Sequence, residues 1–378
     1  MKILMLITGM QSGGAERVMA TLCNNLSQSH TIRLAIVKTA QSDYQLVERV
    51  QVVAGNIRNQ SLLQSVLFSK KEIDTWKPDI VLSFMTKTNV IALLAKKISR
   101  WKPPIVIAER ANPYHTKGVL GKVRNILCCH ADGAVFQTEQ AQSYYKNIIK
   151  CPSVVLRNPL NPDFKVEPFR GTRTNRIVCV GRLSEEKNQR LLVEAFAEIA
   201  QDFPDYTVEF YGDGPLKETI AQHIEELSMQ GKIQLMGRKE RVQDLIKDAA
   251  CFVLPSNSEG MPNALLEAMA LGIPSIATDC PIGGSAFIIN NNENGILIPM
   301  NDKKALMAAL KRCLTEKDFA AKISKNAGQI ITDYDAEKVC REWENYLQKV
   351  YRGGIRNDKE IAKRSYILWD YRTRKNPS

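Results

Sequence analysis

The sequence of 378 residues has no long apolar run, and this absence excludes one class of protein. A membrane-spanning helix needs ~20 successive apolar residues, whereas the apolar stretch after Lys2 is only about six residues long. The same stretch is too short for the apolar core of a secretion signal. Nine cysteines are irregularly spaced without a C-x-x-C pair, so neither a zinc site nor a disulfide framework is indicated. We expect a protein of a reducing compartment without a membrane span.

The dinucleotide-binding fingerprint is also absent. The glycines of ITGMQSGGAER are spaced Gly9-x3-Gly13-Gly14 rather than G-x-G-x-x-G, and no acidic residue ends the next strand-like run, 31–37. A dinucleotide site is therefore not predicted. Gly13 and Gly14 fit either a phosphate-binding turn or a tight turn that binds nothing.

Only one D-x-D sequence is present, Asp333-Tyr334-Asp335, and it lies far along the chain. It stands beside a predicted helix start, where Asp335 is better suited to cap the helix than to bind a metal. We therefore expect no metal.

Positive charge is abundant, with a formal net charge of +12 that favours acidic partners such as nucleic acid, anionic lipid or phosphorylated substrates. Part of the excess lies in KKISRWK, 96–102, and KGVLGKVR, 117–124. Both segments fit either a membrane surface or a solvated helix whose apolar residues point into the core. No base-reading module supports a nucleic-acid partner.

Short apolar runs alternate with amphipathic segments, which is typical of parallel sheets wrapped by helices. The strand-like runs before residue 157 are KILMLI, TIRLAIV, DIVLSF, PIVIAE, GAVF and SVVL. After a proline-rich linker at 158–174 the runs are RIVCV, TVEFY, KIQLM, CFVL, PSIA and GILI. We predict an α/β chain of two doubly wound, Rossmann-like domains that face each other across a cleft. Because ligands bind at the carboxyl ends of parallel strands, we expect the site in that cleft.

The turn GRLSEEKN, 181–188, carries Arg182 and Lys187 between a predicted strand and a predicted helix. Two cations beside the amides of a helix end suit a diphosphate. Pairing of both cations with Glu185 and Glu186 on a solvated turn is the alternative.

The segment SEGMPNALLEAMALGIP, 258–274, has apolar residues at helical spacing and predicts a helix from Pro262 to Ala270. Glu259 stands just before this helix and Glu267 lies within it. Each carboxylate can accept hydrogen bonds from neighbouring hydroxyls of a ribose or hexose. The alternatives are an ordinary helix carboxylate for Glu267 and a helix-start preference for Glu259.

Together, the Gly13-Gly14 turn, the Arg182-x4-Lys187 pair and the E-x7-E spacing of Glu259 and Glu267 resemble the retaining glycosyltransferases of family 4, which have the GT-B fold. The resemblance extends to about residue 350, and the motifs follow one another in the order expected for the family. GGAER, AERANP and TDCP are similar to segments of bacterial enzymes that extend polyprenyl-diphosphate-linked glycans.

The resemblance implies a role for each motif residue. The catalytic group would be Arg182 and Lys187, which hold the diphosphate, and Glu259, which contacts the transferring sugar. Glu267 would bind the ribose, and the Gly13 and Gly14 amides would approach from across the cleft. Further donor contacts are expected from Gly181, Gly260, Asn263 and Leu266.

The resemblance also implies a domain plan. We expect an acceptor-side domain at 1–165, with a possible membrane contact, and a donor-binding domain at 166–335. A helix at 336–352 would cross back to the first domain. The basic tail at 353–378, with Tyr366, Trp369 and Tyr371, fits either a membrane contact or a disordered segment.

Two positions depart from the family pattern. Glu109 and Arg110 stand where many members have a histidine, and Ala286 stands where related sequences often have a glutamate. His115 is too far along to substitute for that histidine. Glu109 and Arg110 are candidates for a sugar or acceptor contact, or for a buried ion pair.

The expected function is that of a retaining hexosyltransferase without metal or other cofactor. It would move a hexose or N-acetylhexosamine from a nucleotide-sugar, foremost a UDP-sugar, to a polyprenyl-diphosphate-linked glycan in polysaccharide or O-antigen biosynthesis. We expect it on an anionic membrane surface, at the inner face of the cytoplasmic membrane. The alternatives are a nucleotide-sugar epimerase, a transferase with a soluble acceptor, and, more distantly, a nucleic-acid-binding or regulatory protein.

Overall fold

The computed structural model describes residues 1–11, 13–57, 59, 61–110, 112–116, 118–167, 169 and 171–353. Within these ranges the chain forms two parallel sheets, each covered by helices. The predicted tail beyond residue 353 lies outside the described residues.

The first sheet has the strand order β3-β2-β1-β4-β5-β6-β7 and is parallel throughout. Its strands are continuous apolar runs because helices cover both faces of the sheet. The elements are β1 Lys2–Ile7, α1 Gly14–Leu26, β2 Thr31–Ile36, β3 Gln51–Ala54, α2 Leu62–Trp76, β4 Ile80–Phe84, α3 Thr86–Ile98, β5 Ile105–Ala108, α4 Gly118–Cys128, β6 Gly133–Phe136, α5 Glu139–Tyr145 and β7 Ser153–Val155.

The second sheet has the order β10-β9-β8-β11-β12-β13 and is also parallel. Its elements are β8 Thr174–Val180, α6 Gln189–Ile199, β9 Thr207–Tyr211, α7 Lys217–Glu226, β10 Ile233–Gly237, α8 Val242–Ile246, β11 Ala249–Leu254, α9 Asn263–Ala270, β12 Ser275–Asp279, α10 Gly284–Ile288, β13 Ile296–Pro299, α11 Lys303–Thr315, α12 Lys317–Ala327 and α13 Ile330–Asp333. The predicted pair of Rossmann-like domains is confirmed.

One strand was not predicted. β3 is the edge strand of the first sheet, and its residues are exposed or half-buried. An edge strand with one neighbour needs no continuous apolar run, so the four residues QVVA gave no clear signal.

The last helix, α14 Ala336–Tyr351, returns to the first domain as expected. Its Trp343 is fully buried in the core beneath β1 and β4, together with residues of α1. Tyr346 Oη donates to the Pro152 carbonyl at 2.7 Å and accepts from the Ala134 amide at 2.9 Å. Asp335 caps this helix by accepting from the Lys338 amide at 3.1 Å, as predicted.

The predicted linker, 158–174, is more than a flexible connection. Asn158 is 1% exposed, and the side chain of Phe164 is buried in the core of the second domain. Asn158 Nδ2 donates to Asn263 Oδ1 at 2.6 Å, so the beginning of this segment is bonded to α9.

Across the described ranges, every helix is too short or too polar to traverse a bilayer.

Candidate active site

The site lies where the first turns of α1 and α9 meet, between the two domains. Asn263 Nδ2 donates to the Gly14 carbonyl at 3.0 Å. A Cβ on Gly14 would lie 3.0 Å from the same amide nitrogen. Gly14 therefore permits close approach of the two domains. Gly13 is extended, and its carbonyl accepts from Tyr44 Oη at 2.8 Å.

Glu267 faces the first domain from α9. Its Oε1 lies 2.5 Å from Nη2 of Arg17, on the opposite wall of the cleft. The carboxylate is 5% exposed, and burial raises its pKa to about 7 although Arg17 opposes this shift. Glu267 is therefore no ordinary surface carboxylate of a helix.

Lys187 and Glu259 form a second ion pair, within the C-terminal domain. Lys187 Nζ lies 2.5 Å from Glu259 Oε1, which also accepts from Ser256 Oγ at 2.6 Å. Burial alone would lower the pKa of Lys187, but the Glu259 carboxylate outweighs it and raises that pKa. The alternative pairing of Lys187 with Glu185 or Glu186 is wrong, because the lysine reaches across the strand ends to Glu259 instead.

Arg182 lies at the start of the same turn and is exposed. It has no ion-pair partner among the residues that the structure describes, so its predicted pairing with Glu185 or Glu186 is also wrong. Gly181 packs beside Lys187, where a Cβ would lie 3.8 Å from the lysine side chain. Among the described residues of this turn, Arg182 is therefore an unpaired cation and Lys187 a paired one.

Glu109 and Arg110 are both buried, but the predicted ion pair between them is wrong. Glu109 accepts from Thr86 Oγ1 at 2.8 Å and Asn89 Nδ2 at 2.7 Å. Burial raises its pKa. Arg110 turns the other way and donates through Nη2 to Asn158 Oδ1. Glu109 is therefore held within its own domain, whereas Arg110 faces the junction.

Gly260 lies in close contact with the first domain. A Cβ there would lie 2.2 Å from Gln137 Oε1 and 2.8 Å from the Arg110 carbonyl. On its other side, a Cβ on Gly284 would lie 1.8 Å from the Gly260 carbonyl. Any side chain at 260 would push the domains apart.

Leu266 differs from the other predicted donor contacts. Its side chain is 1% exposed and belongs to the hydrophobic core between α9 and the sheet. Any donor contact of Leu266 would have to come from its backbone, and its donor role stays a prediction. The helix around it ends at Ala270 as predicted and begins at Asn263, one residue after the predicted start.

Two residues of the junction were missed. Arg17 stands on the first turn of α1, and Asn158 lies in the predicted linker. Arg17 belongs to the quoted GGAER motif, so that motif already carried a signal for it. No sequence pattern marked Asn158, because its role depends on contacts with Arg110, Met261 and Asn263.

No group of three or more metal-ligating side chains occurs in the described part of the chain. Asp335 is committed to its helix cap and to an ion pair with Lys165 at 2.8 Å. The site instead combines cations, carboxylates and backbone amides at facing strand ends, as substrates rich in phosphate and hydroxyl groups require.

Residues 162–329 match the family model of glycosyl transferases group 1, and a full-length relative supports the match. This match covers most of the second domain. The relative, from Campylobacter jejuni, is "GalNAc-alpha-(1->4)-GalNAc-alpha-(1->3)-diNAcBac-PP-undecaprenol alpha-1,4-N-acetyl-D-galactosaminyltransferase". It is 27% identical over 362 residues, which cover 93% of this chain and 99% of the relative. The resemblance inferred from the motifs is confirmed, and the protein is a glycosyltransferase.

A second relative agrees with this assignment, and two solved structures share the fold. The Escherichia coli "UDP-Gal:alpha-D-GlcNAc-diphosphoundecaprenol alpha-1,3-galactosyltransferase" is 32% identical over 156 residues, 40% of each chain. HepE of Anabaena, solved in complex with UDP, has a TM-score of 0.77 at 19% identity and covers 92% of this chain and 100% of its own. Sucrose-phosphate synthase of Thermosynechococcus elongatus has a TM-score of 0.80 at 16% identity and covers 93% and 99%. These two structures confirm the GT-B fold.

Proposed function

We propose that this glycosyltransferase moves a hexose or N-acetylhexosamine from a UDP-sugar to a polyprenyl-diphosphate-linked glycan, with retention of the anomeric configuration. The observation that carries the proposal is the contact of the glycine turn at α1 with the helix that bears Glu267. These two elements carry the family motifs, and they enclose the end of the sheet where Lys187 and Arg182 lie.

The donor would lie mainly on the C-terminal domain. Arg182 and Lys187 would bind the diphosphate, and Glu267 would accept hydrogen bonds from the ribose after Arg17 leaves it. Gly13 and Gly14 would approach from the other wall. The Anabaena neighbour was solved with UDP, which favours this base.

The chemistry follows from where charge develops. When the glycosidic bond breaks, the departing nucleoside diphosphate gains negative charge, so fixed cations stabilise the transition state more than the ground state. Arg182 and Lys187 supply these charges without a metal. Glu259, beside Lys187, would accept hydrogen bonds from hydroxyls of the transferring sugar.

The acceptor would be lipid-linked and would reach the cleft from a membrane surface. Both named relatives carry an undecaprenyl diphosphate acceptor in their names. On α4, Val119 is 79%, Leu120 53% and Val123 37% exposed, so the alternative that the apolar residues of KGVLGKVR point into the core is wrong. Ile126 on the same helix is 64% exposed. Such a face fits the interfacial layer of an anionic membrane. We place it at the inner face of the cytoplasmic membrane.

The apolar residues of the other basic segment, KKISRWK, are also exposed. Ile98 is 50% and Trp101 43% exposed, so the alternative that they point into the core is also wrong. Trp101 Nε1 donates to the Pro78 carbonyl at 2.7 Å, which fixes the ring against the domain.

The proposal is tested by a transfer assay. UDP-hexoses and UDP-N-acetylhexosamines are each offered with a polyprenyl-diphosphate-linked saccharide, or with the same saccharide without lipid, in the presence of a chelator. We expect transfer to the lipid-linked acceptor only, unaffected by the chelator and abolished in Glu259→Gln. The anomeric coupling constant of the product, measured by NMR, tests retention. Conversion of the nucleotide-sugar without an acceptor would favour an epimerase.

A further inference from the structure

Tyr44 is bonded to the glycine turn from outside the helix that the turn begins. Its Oη donates to the Gly13 carbonyl at 2.8 Å. That carbonyl already accepts from the Arg17 amide at 3.1 Å, within the first turn of α1. The hydroxyl is therefore not needed to satisfy the carbonyl, and its effect is to fix the direction in which the carbonyl points.

Helix α1 begins at the glycine pair. Gly13 is the N-cap residue, with φ −137° and ψ 158°, and as a glycine it has no side chain that could accept from the first amides of the helix. The backbone of glycine also has more conformational freedom than that of any other residue. A helix start of this kind needs a contact from elsewhere in the fold to keep one orientation.

The orientation of the Gly13–Gly14 peptide decides where an amide points. A peptide bond is planar and trans, so the Gly13 carbonyl and the Gly14 N–H point in opposite directions. Because the carbonyl is directed to Arg17 and Tyr44, the Gly14 N–H points out of the helix start. The first N–H groups of a helix have no partner within it and favour anionic groups. Tyr44 therefore controls the direction of an amide that can donate to a phosphate.

The position of Tyr44 is fixed independently of the glycine turn. Its ring packs against the core of the first domain. Ser42 Oγ accepts from the Tyr44 amide at 3.1 Å and donates to the Tyr44 carbonyl at 2.8 Å. Burial raises the pKa of Tyr44, so the hydroxyl keeps the proton that it donates.

The segment between β2 and β3, which carries this tyrosine, is bonded to the turn at two further residues. The Asp43 amide donates to the Met10 carbonyl at 3.0 Å, and Gln11 Nε2 donates to Gln41 Oε1 at 3.0 Å. The segment thus contacts both the beginning of the turn and its end at Gly13. Loss of the one hydroxyl would leave the turn attached but free to rotate at its glycines.

We propose that Tyr44 is a positioning residue for sugar transfer. Its hydroxyl fixes the Gly13–Gly14 peptide so that the Gly14 amide points at the diphosphate of the donor, and Tyr44 itself contacts neither substrate. The inference rests on the proposed function, because the diphosphate enters with the UDP-sugar. As the leaving diphosphate gains negative charge, a misdirected amide costs more in the transition state than in the ground state.

The test removes one oxygen atom. Tyr44→Phe keeps the packed ring and loses only the hydroxyl, and Tyr351→Phe, at a tyrosine 45% exposed, is the matched control. For the parent and both variants, kcat and KM are measured for transfer from the preferred UDP-sugar. UDP and uridine are then compared as inhibitors of that transfer, since uridine lacks the diphosphate. Urea unfolding measures the stability of each protein.

For Tyr44→Phe we expect kcat/KM to fall about 10- to 100-fold, mainly through kcat, because a hydrogen bond to a charged group is weakened in the transition state. The inhibition constant of UDP should rise about three- to tenfold, and that of uridine should stay within about twofold of the parent. The urea midpoint should shift by less than about 0.5 M, as for the loss of one hydrogen bond between neutral groups. Tyr351→Phe should match the parent in every measurement.

Three results would overturn the inference. The first is equal kinetics for Tyr44→Phe and Tyr351→Phe. The second is an equal weakening of inhibition by UDP and by uridine, which would show that the whole cleft has changed rather than a contact to the diphosphate. The third is a loss of activity that accompanies a large fall in the urea midpoint. Absence of transfer by the parent is a different result, because it would overturn the proposed function itself.

Discussion

Arg17 Nη2 lies 2.5 Å from Glu267 Oε1, and this ion pair joins the two domains at the point where the family motifs meet. Glu267 is buried, and Arg17 keeps 25% of its side chain exposed. A donor whose ribose binds Glu267 must therefore displace Arg17. If Glu267 binds the ribose as proposed, this ion pair would link the approach of the two domains to donor binding.

The buried Glu267 predicts a pH-dependent stability. Its pKa is about 7 in the folded protein against 4.5 without burial, so the folded state holds this proton more tightly than the unfolded chain. The contribution is complete below pH 4.5 and is lost as the pH rises through 7. The loss is on the order of 3 kcal/mol in the free energy of unfolding.

The measurement is urea unfolding of the parent and of Glu267→Gln between pH 5 and pH 8. Between pH 5 and pH 8 the free energy of unfolding should fall further in the parent than in Glu267→Gln, by on the order of 3 kcal/mol. If the free energy of unfolding changed equally with pH in the two proteins, the raised pKa assigned to Glu267 would be contradicted.

The Lys187–Glu259 pair predicts non-additive stability. Lys187→Met leaves the Glu259 carboxylate buried without its cation and should cost about 3 kcal/mol. The double variant Lys187→Met with Glu259→Gln removes that unpaired charge and should recover most of the loss. Both proteins should lose activity by a factor on the order of 10² or more.

Chemical denaturation and turnover of the two single variants and the double variant check this prediction. Additive stability losses would mean that the two side chains do not interact in solution.

Close approach of the domains predicts a steric effect at Gly260. Gly260→Ala would place a Cβ 2.8 Å from the Arg110 carbonyl, so the cleft must widen. Because catalysis needs reacting groups held within fractions of an ångström, activity should fall on the order of 10²-fold.

The matched control is Gly231→Ala, at a glycine where a Cβ would meet nothing within 4 Å. The activities of the two variants are compared by steady-state kinetics. A Gly260→Ala enzyme as active as the Gly231→Ala enzyme would show that the domains need not approach so closely.

The exposed face of α4 predicts binding to anionic vesicles. Replacing both Val119 and Ile126 by Ser removes apolar groups from the proposed membrane-binding surface, so the fraction of protein sedimenting with vesicles should fall severalfold. Leu245→Ser, on the second domain at a residue 41% exposed, is the control and should bind like the parent. Equal binding of all three proteins would place the membrane contact elsewhere.

The sequence predicted most of the fold because parallel strands buried on both faces are continuous apolar runs, as in β1 and β4. It could not predict β3, whose edge position relaxes that requirement. The roles assigned to Arg182, Lys187, Glu259 and Glu267 remain predictions, but the structure brings the E-x7-E helix into contact with the glycine turn.

The partners of charged residues were harder to predict than their positions. For Lys187 the local spacing suggested Glu185 or Glu186 as the partner, but the observed partner is Glu259. For Arg110 it suggested Glu109, but the observed partner is Asn158. These partners are distant in sequence and come together only through the packing of strand ends. Sequence spacing identifies residues that are close along the chain, whereas the residues of the site are distant in sequence and are brought together by the fold.

The measurement that tests the central claim most directly is calorimetric titration with UDP, without divalent metal, of the parent, Glu267→Ala and the exposed control Glu218→Ala. We predict micromolar binding by the parent and the control, weakened at least tenfold in Glu267→Ala. Absence of UDP binding, or binding indifferent to Glu267, would contradict the assignment of this cleft as the donor site.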